Sequence, residues 1–91
     1  MTENLAETFD QSAKSFTVVV PQGNGYSNPL MMCRVSDHFQ QLNLNAEFVS
    51  KEGIPVQDAH GAYTLVTKDA RAEMLAPRLL SSHYGLLPIP N

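Results

Sequence analysis

The residues that could do chemistry in this chain are few and thinly spread. There is one thiol, Cys33, and there are three imidazoles, His38, His60 and His83. A nucleophilic cysteine needs a base within hydrogen-bond reach to take its proton. On a helix, His38 lies five residues beyond Cys33 and points to a different side. A Cys–His pair would therefore need His60 or His83 brought in from elsewhere. A free cysteine more often serves as a small apolar residue. Asp37-His38 and Asp58-Ala59-His60 are the carboxylate–imidazole neighbours, and neither has the helical i, i+4 spacing of a zinc-binding His-Glu-x-x-His. A single cysteine allows no thiolate metal cluster and no intramolecular disulfide. Of the carboxylates, Asp69 reads as a helix cap, while Glu47 and Glu52 flank a turn and should be solvated. These observations predict a non-enzymatic protein with no catalytic residue, no metal and no cofactor.

One segment has residue types suited to holding a small ligand. Gly23-Asn24-Gly25-Tyr26-Ser27 joins an apolar strand to a helix start. Backbone N–H groups of Gly23, Asn24 and Gly25, with Ser27, could face an anion at the positive end of a helix. The dinucleotide fingerprint needs a third glycine, and the mononucleotide loop needs Gly-Lys-Ser/Thr. Here Tyr26, Ser27 and Asn28 follow Gly25. A wide turn that needs glycine for its geometry is the simpler reading of the segment.

Residues 17–49 resemble the opening of the phosphoryl-carrying IIB components of sugar phosphotransferase systems. The resemblance rests on Val18-Val19-Val20, Gly23-Asn24-Gly25, Ser27 and the segment carrying Val35 and Phe39. Where that family places its nucleophilic cysteine this chain has Gln22, whose amide cannot carry a phosphoryl group reversibly. The resemblance thus implies a strand–loop–helix segment and no phosphocarrier activity.

Charge is unevenly placed. The formal net charge is -3, and Glu3, Glu7 and Asp10 account for it, because the later Lys and Arg balance the later Asp and Glu. A nearly neutral body argues against a nucleic-acid surface, which needs clustered cations to displace counterions. Lys68, Arg71 and Arg78 are the local basic group, with Arg71 and Arg78 seven residues apart on one side of a helix. They could hold one carboxylate or phosphate, but not a duplex. The start of the chain is polar and acidic, without the basic and apolar regions of a signal peptide, and no apolar run approaches a membrane span. A cytoplasmic location is expected.

Several elements must position these residues. Thr2 can cap a short helix that carries Leu5, Ala6, Phe9 and Ala13 on one face, so residues 1–14 are expected as an acidic arm or short helix, either docked on the domain through Leu5 and Phe9 or frayed. Phe16-Thr17-Val18-Val19-Val20 reads as a central strand buried on both faces. Asn28-Pro29 is a cap followed by proline at the first helical position. Met31, Val35, Phe39 and Leu42 then recur at spacings of four, four and three. Residues 30–35 could alternatively pair with the first strand as a hairpin. Residues 46–50 alternate as a strand, residues 51–53 turn, residues 54–56 read as a short edge segment, and residues 61–67 form another strand. Asp69 caps a last helix, in which Pro77 predicts a kink or two short helices. Residues 85–91 are an apolar, proline-rich tail, either packed on the domain or free for another chain to grip.

The expected fold is α+β, a small two-layer sandwich in the order strand-helix-strand-strand-helix. It has a three- or four-stranded sheet and an optional N-terminal helix. Its body spans residues 15–84. If the first strand and the one near Phe48 are parallel neighbours, their crossover is right-handed. The expected function is that of a small interaction protein, an inhibitor, accessory or regulatory subunit of a larger protein assembly. A phage- or plasmid-encoded protein that obstructs a host complex would have this make-up. Candidate partner contacts are Leu5, Phe9, Tyr26, Met32, Arg71, Arg78 and Leu87. The alternative is an anion- or phosphometabolite-binding domain using Gly23, Asn24, Gly25 and Ser27.

Overall fold

The β-branched run near residue 18 builds the first strand, β1 (Lys14–Val19), as its composition predicts. The structure is a computed structural model, and it describes residues 13–23 and 25–91. The expected N-terminal helix with Leu5 and Phe9, and also Asn24, lie outside the described residues. After β1 come a short 3-10 turn (Gly25–Ser27), α1 (Pro29–Gln41), β2 (Ala46–Phe48), β3 (Ser50–Lys51) and β4 (Ile54–Pro55). Then follow β5 (Ala62–Thr67), α2 (Ala70–Tyr84) and β6 (Pro88–Pro90). Among the described residues the fold is α+β, with two helices, a four-stranded antiparallel sheet and a two-stranded one.

The sheet order is β2-β5-β1-β6. β1 and β2 both run antiparallel to β5, so they are parallel to each other but not neighbours. The conditional expectation of adjacent parallel strands is not met, because β5 is inserted between them. In the same way β1 separates β5 from β6. Two split β-α-β units interlock, which is the connectivity of the ferredoxin-like arrangement. The β3–β4 hairpin is an insertion between β2 and β5.

Register decides which face is buried. Phe16 lies opposite Leu65, Val18 opposite Tyr63, and Phe48 opposite Leu65. Both helices cover this face: Met32, Val35 and Phe39 of α1 and Ala72, Ala76 and Leu80 of α2 join its core. The other face carries Thr17, Val19, Thr64, Val66 and Glu47. The strand was expected to be buried on both faces, yet Val19 is 51% exposed. β1 is central in the sheet, but with both helices on one side its alternate residues face solvent.

The caps follow the sequence closely. Asn28 Oδ1 accepts the N–H of Leu30 at 2.9 Å, with Pro29 first in the helix. α1 ends where Asn43 takes a positive φ of 57°. The N–H of Leu44 then reaches Phe39 O at 2.9 Å and that of Asn43 reaches Gln40 O at 3.0 Å, a Schellman closure. Asp69 Oδ1 accepts the N–H of Ala72 at 2.7 Å at the start of α2.

The structure decides several expectations. Met32, expected on the surface as a partner contact, is fully buried, while Met31 is half-buried. The inner stripe is Met32-Val35-Phe39, and Leu42 lies past the end of the helix at 43% exposure. Of the two outcomes expected at Pro77, a kink or two short helices, the second is not found, since α2 runs through it. The buried positions Ala72, Ala76 and Leu80 on either side hold one helix despite a proline penalty of about 3 kcal/mol. Of the two readings of residues 85–91, packing on the domain is the one found: Leu86 is buried and Pro88–Pro90 forms the edge strand β6. An edge position suits Pro88 and Pro90, which cannot donate to a further strand. Finally, Lys14 belongs to β1, inside the stretch expected as an arm.

Candidate functional site

The end of α1 and one side of α2 enclose an apolar groove. Its floor is Leu44, which the turn at Asn43 folds back into the core. Its walls are Leu42, just past the end of α1, and Leu75 and Leu79 from α2, with Arg71, Arg78 and Ser82 along the same side of α2. Arg71, Leu75, Arg78, Leu79 and Ser82 recur at helical spacing, forming a stripe beside the core stripe Ala72-Ala76-Leu80. The groove has a volume of about 290 Å³.

The two arginines differ in role. Arg71 Nη1 donates to Asn43 O at 3.0 Å and Nη2 to Leu42 O at 3.3 Å, so its charge sits on the negative end of α1. Arg78 makes no ion pair with any described carboxylate. Among the described residues the one ion pair is Lys68 Nζ to Glu47 Oε1 at 2.7 Å. That contact removes Lys68 from the basic group expected with the arginines. The expectation that Arg71 and Arg78 share a side holds, and both border the groove.

The glycine-rich loop borders a different cavity of about 350 Å³, lined by Val20, Gln22, Gly23, Ser27, Gln57, His60 and Gly61. Gly23 has a φ of 85°, so glycine is required there for the backbone alone. Ser27 lies at the wall, where its carbonyl accepts the Tyr63 hydroxyl at 3.2 Å. Burial, then the nearby Cys33, raises the Tyr63 pKa, so this hydroxyl stays a donor. Gly25 opens the 3-10 turn and does not line the cavity. The start of α1 is already capped by Asn28 and has proline first, so fewer of its amides are open to an anion. His60 is the titratable group in this cavity, opposite the loop.

Cys33 and the histidines stay apart. Cys33 Sγ points to Gly53 O at 3.8 Å, in a cavity lined also by Ser36, Asp37, Gln40 and Glu47 and by no histidine. His38 and His83 meet between the helices, with ring centres 5.0 Å apart. The Tyr84 hydroxyl and His38 Nδ1 share a hydrogen bond of 2.7 Å, and burial followed by proximity to Tyr26 raises the Tyr84 pKa. Tyr26, expected as a partner contact, is half-buried with its ring edge-on to Tyr84 at 5.5 Å. Among the described residues no group of three or more His, Cys, Asp or Glu could hold a metal ion. Leu87 is 71% exposed, at the opposite extreme from its neighbour Leu86. Leucines 42, 44, 75 and 79 were missed as site residues. Leu75 and Leu79 were legible as one side of a helix, but the groove exists only once α1 ends beside α2.

No family model matches the chain, and no curated protein or solved structure is significantly similar to it. No helix among the described residues is long and apolar enough to cross a membrane.

Proposed function

We propose that this chain is a small non-enzymatic interaction protein, and that the groove between α1 and α2 receives an apolar segment bearing carboxylates from a partner protein. Such docking would suit an inhibitor, accessory or regulatory subunit of a larger assembly. The supporting observation is the leucine-walled groove bordered by Arg71 and Arg78, the latter without an ion pair to any described carboxylate. Leucine side chains supply non-directional attraction through buried area, and the arginines fix orientation through a carboxylate. The near neutrality of the rest of the chain leaves this pair as a distinct local charge. A thiol left unpaired suits the reducing cytoplasm, which is the location the proposal carries.

Selection of a displayed random-peptide library on the folded chain tests it. Enriched peptides should combine Leu or Phe at helical spacing with Asp or Glu. Arg78→Glu should weaken them by about tenfold or more without unfolding the domain. Binding that survives Arg78→Glu and shifts no groove amide would refute the proposal.

A second reading, as an anion- or phosphometabolite-binding domain, is favoured by Gly23 and Ser27 sharing a cavity with Gln22, Gln57 and His60. Titration with inorganic phosphate, nucleotides and sugar phosphates should then shift the amides of Gly23, Gly25 and Gly61. Still signals at millimolar ligand would remove this reading.

A further inference from the structure

We propose that the sheet face turned away from the helices is the surface through which two copies of this chain associate as a weak two-fold dimer. This surface is separate from the groove between α1 and α2, since both helices cover the opposite face of the sheet. Three observations carry the inference.

The first is where exposed apolar side chains collect. Thr64 lies opposite Thr17 and Thr17 opposite Ile89, while the N–H of Val49 reaches Thr64 O at 2.9 Å. Val49, Thr64, Thr17 and Ile89 therefore form one β-branched row across all four strands. The same register, carried one residue beyond β6, sets Leu87 opposite Val19 in the next row. Val19, Val49, Leu87 and Ile89 are each 46% to 71% exposed, and they are four of the nine exposed large apolar residues among those described. A sheet face left to solvent ordinarily alternates to polar residues, and contiguous apolar exposure marks an interaction surface.

The second is that polar groups on this face already have partners within the chain. The Thr17 hydroxyl donates to Asn91 Oδ1 at 2.6 Å, and Asn91 Nδ2 donates to Ser15 Oγ at 3.0 Å. At one corner Lys68 Nζ and Glu47 Oε1 neutralise each other at 2.7 Å. Covering these groups removes water from atoms that are already bonded, so the cost of desolvation is reduced.

The third is the match to a second copy. A partner on this face must be flat and uncharged, because a charge pressed against it would lose water without gaining a counter-charge. A second copy meets both conditions, sheet against sheet at a spacing of about 10 Å, in the two-fold arrangement commonest among homo-oligomers. The charges from Lys14 onward balance, so the two bodies approach without net repulsion. Size sets the strength. With strands about 4.8 Å apart and about 3.4 Å per residue, two six-residue and two three-residue strands present a flat footprint of about 300 Å² per copy. That lies at the small end of specific interfaces, so the dimer should be reversible, with a Kd on the order of 10–100 μM.

Sedimentation equilibrium of the full chain, from about 5 μM to about 1 mM, brackets that Kd. The mean mass should rise from one chain toward two. Over the same range the amide signals of Thr17, Val19, Thr64 and Val66 should move, while those of Leu75 and Leu79 in the groove stay still. Joining Val49→Lys to Ile89→Lys should weaken association by about tenfold or more, because like charges then meet across the contact. Leu30→Lys, which replaces an exposed leucine of α1, should leave association unchanged. A chain that stays monomeric at the highest concentration would overturn the proposal. So would association that survives the two lysines, falls equally with Leu30→Lys, or moves the groove signals instead. Should the double variant fail to fold, the dilution series of the wild type decides alone: movement confined to the sheet face supports the dimer, and any other pattern sinks it.

Discussion

The guanidinium of Arg71 rests on the carbonyl of Asn43, with Nη1 and O 3.0 Å apart. This contact ties the first turn of α2 to the exit of α1, and it sets the width of the groove at that end. Asn43 is held in the left-handed region at a φ of 57°, which turns its carbonyl and that of Leu42 outward. Those carbonyls belong to the negative end of α1, and Arg71 is the cation placed on them.

Replacing Arg71 should therefore cost stability before it costs binding. Arg71→Ala is expected to lower unfolding free energy by about 1 kcal/mol, given an exposed charge on two carbonyls. For a domain of this size that corresponds to a fall in Tm of roughly 4–8 °C. Arg71→Lys keeps the charge but not the two-pronged geometry, and should lose about half as much. Thermal unfolding of the three proteins checks this. Equal Tm for wild type and Arg71→Ala would mean that the helix exit stands without the arginine.

Asp58 makes a pH-dependent contribution. Its Oδ1 accepts the N–H of His60 at 2.8 Å and that of Ala62 at 2.9 Å. The Ala62 and then the His60 amide stabilise the carboxylate and hold its pKa below the ordinary value of 3.8. Unfolding removes both donors and returns the group to that value. A carboxyl with a depressed folded pKa supports the fold above the unfolded value and loses that support as pH falls through the folded one. The loss should therefore begin near pH 3.8 and grow on further acidification. Asp58→Asn retains an acceptor oxygen but does not titrate. Its denaturation midpoint should fall less than that of the wild type between about pH 5 and about pH 2.5. Parallel falls would show that this turn adds nothing to acid sensitivity.

Local chemistry was readable from sequence and tertiary choice was not. Asn28-Pro29 and Asp69 announced helix starts because each cap is a contact between near neighbours. Met31 and Met32 show the limit. With Val35 and Phe39 inside, both positions lie at helical spacing, four and three residues back, and only packing against the sheet selects Met32. Leu42 extended the false stripe, but it caps the helix instead of continuing it. Pro88 and Pro90 hid β6, since proline argues against a strand unless the position is already known to be an edge. The side shared by Arg71 and Arg78 was legible from their spacing of seven. Their leucine surroundings were not, because Leu42 and Leu44 arrive from another element.

The hairpin of β3 and β4 offers a test of backbone strain. Ser50 pairs with Pro55 and Lys51 with Ile54, which leaves Glu52 and Gly53 as a two-residue loop. Both have positive φ, 54° at Glu52 and 81° at Gly53, as a type I′ turn requires. Glycine takes that region freely, but glutamate there brings its Cβ too near the following carbonyl, at a cost of about 1–2 kcal/mol that asparagine largely escapes. Glu52→Asn should therefore raise unfolding free energy by about 0.5–1 kcal/mol, seen as a higher urea midpoint at unchanged slope. Gly53→Ala should do the reverse. An added Cβ at Gly53 meets no neighbouring atom within 4 Å, so strain and not collision is what the substitution would measure. If Glu52→Asn leaves the midpoint unmoved while Gly53→Ala lowers it, the strain resides in the second loop position alone, and the account of Glu52 is wrong.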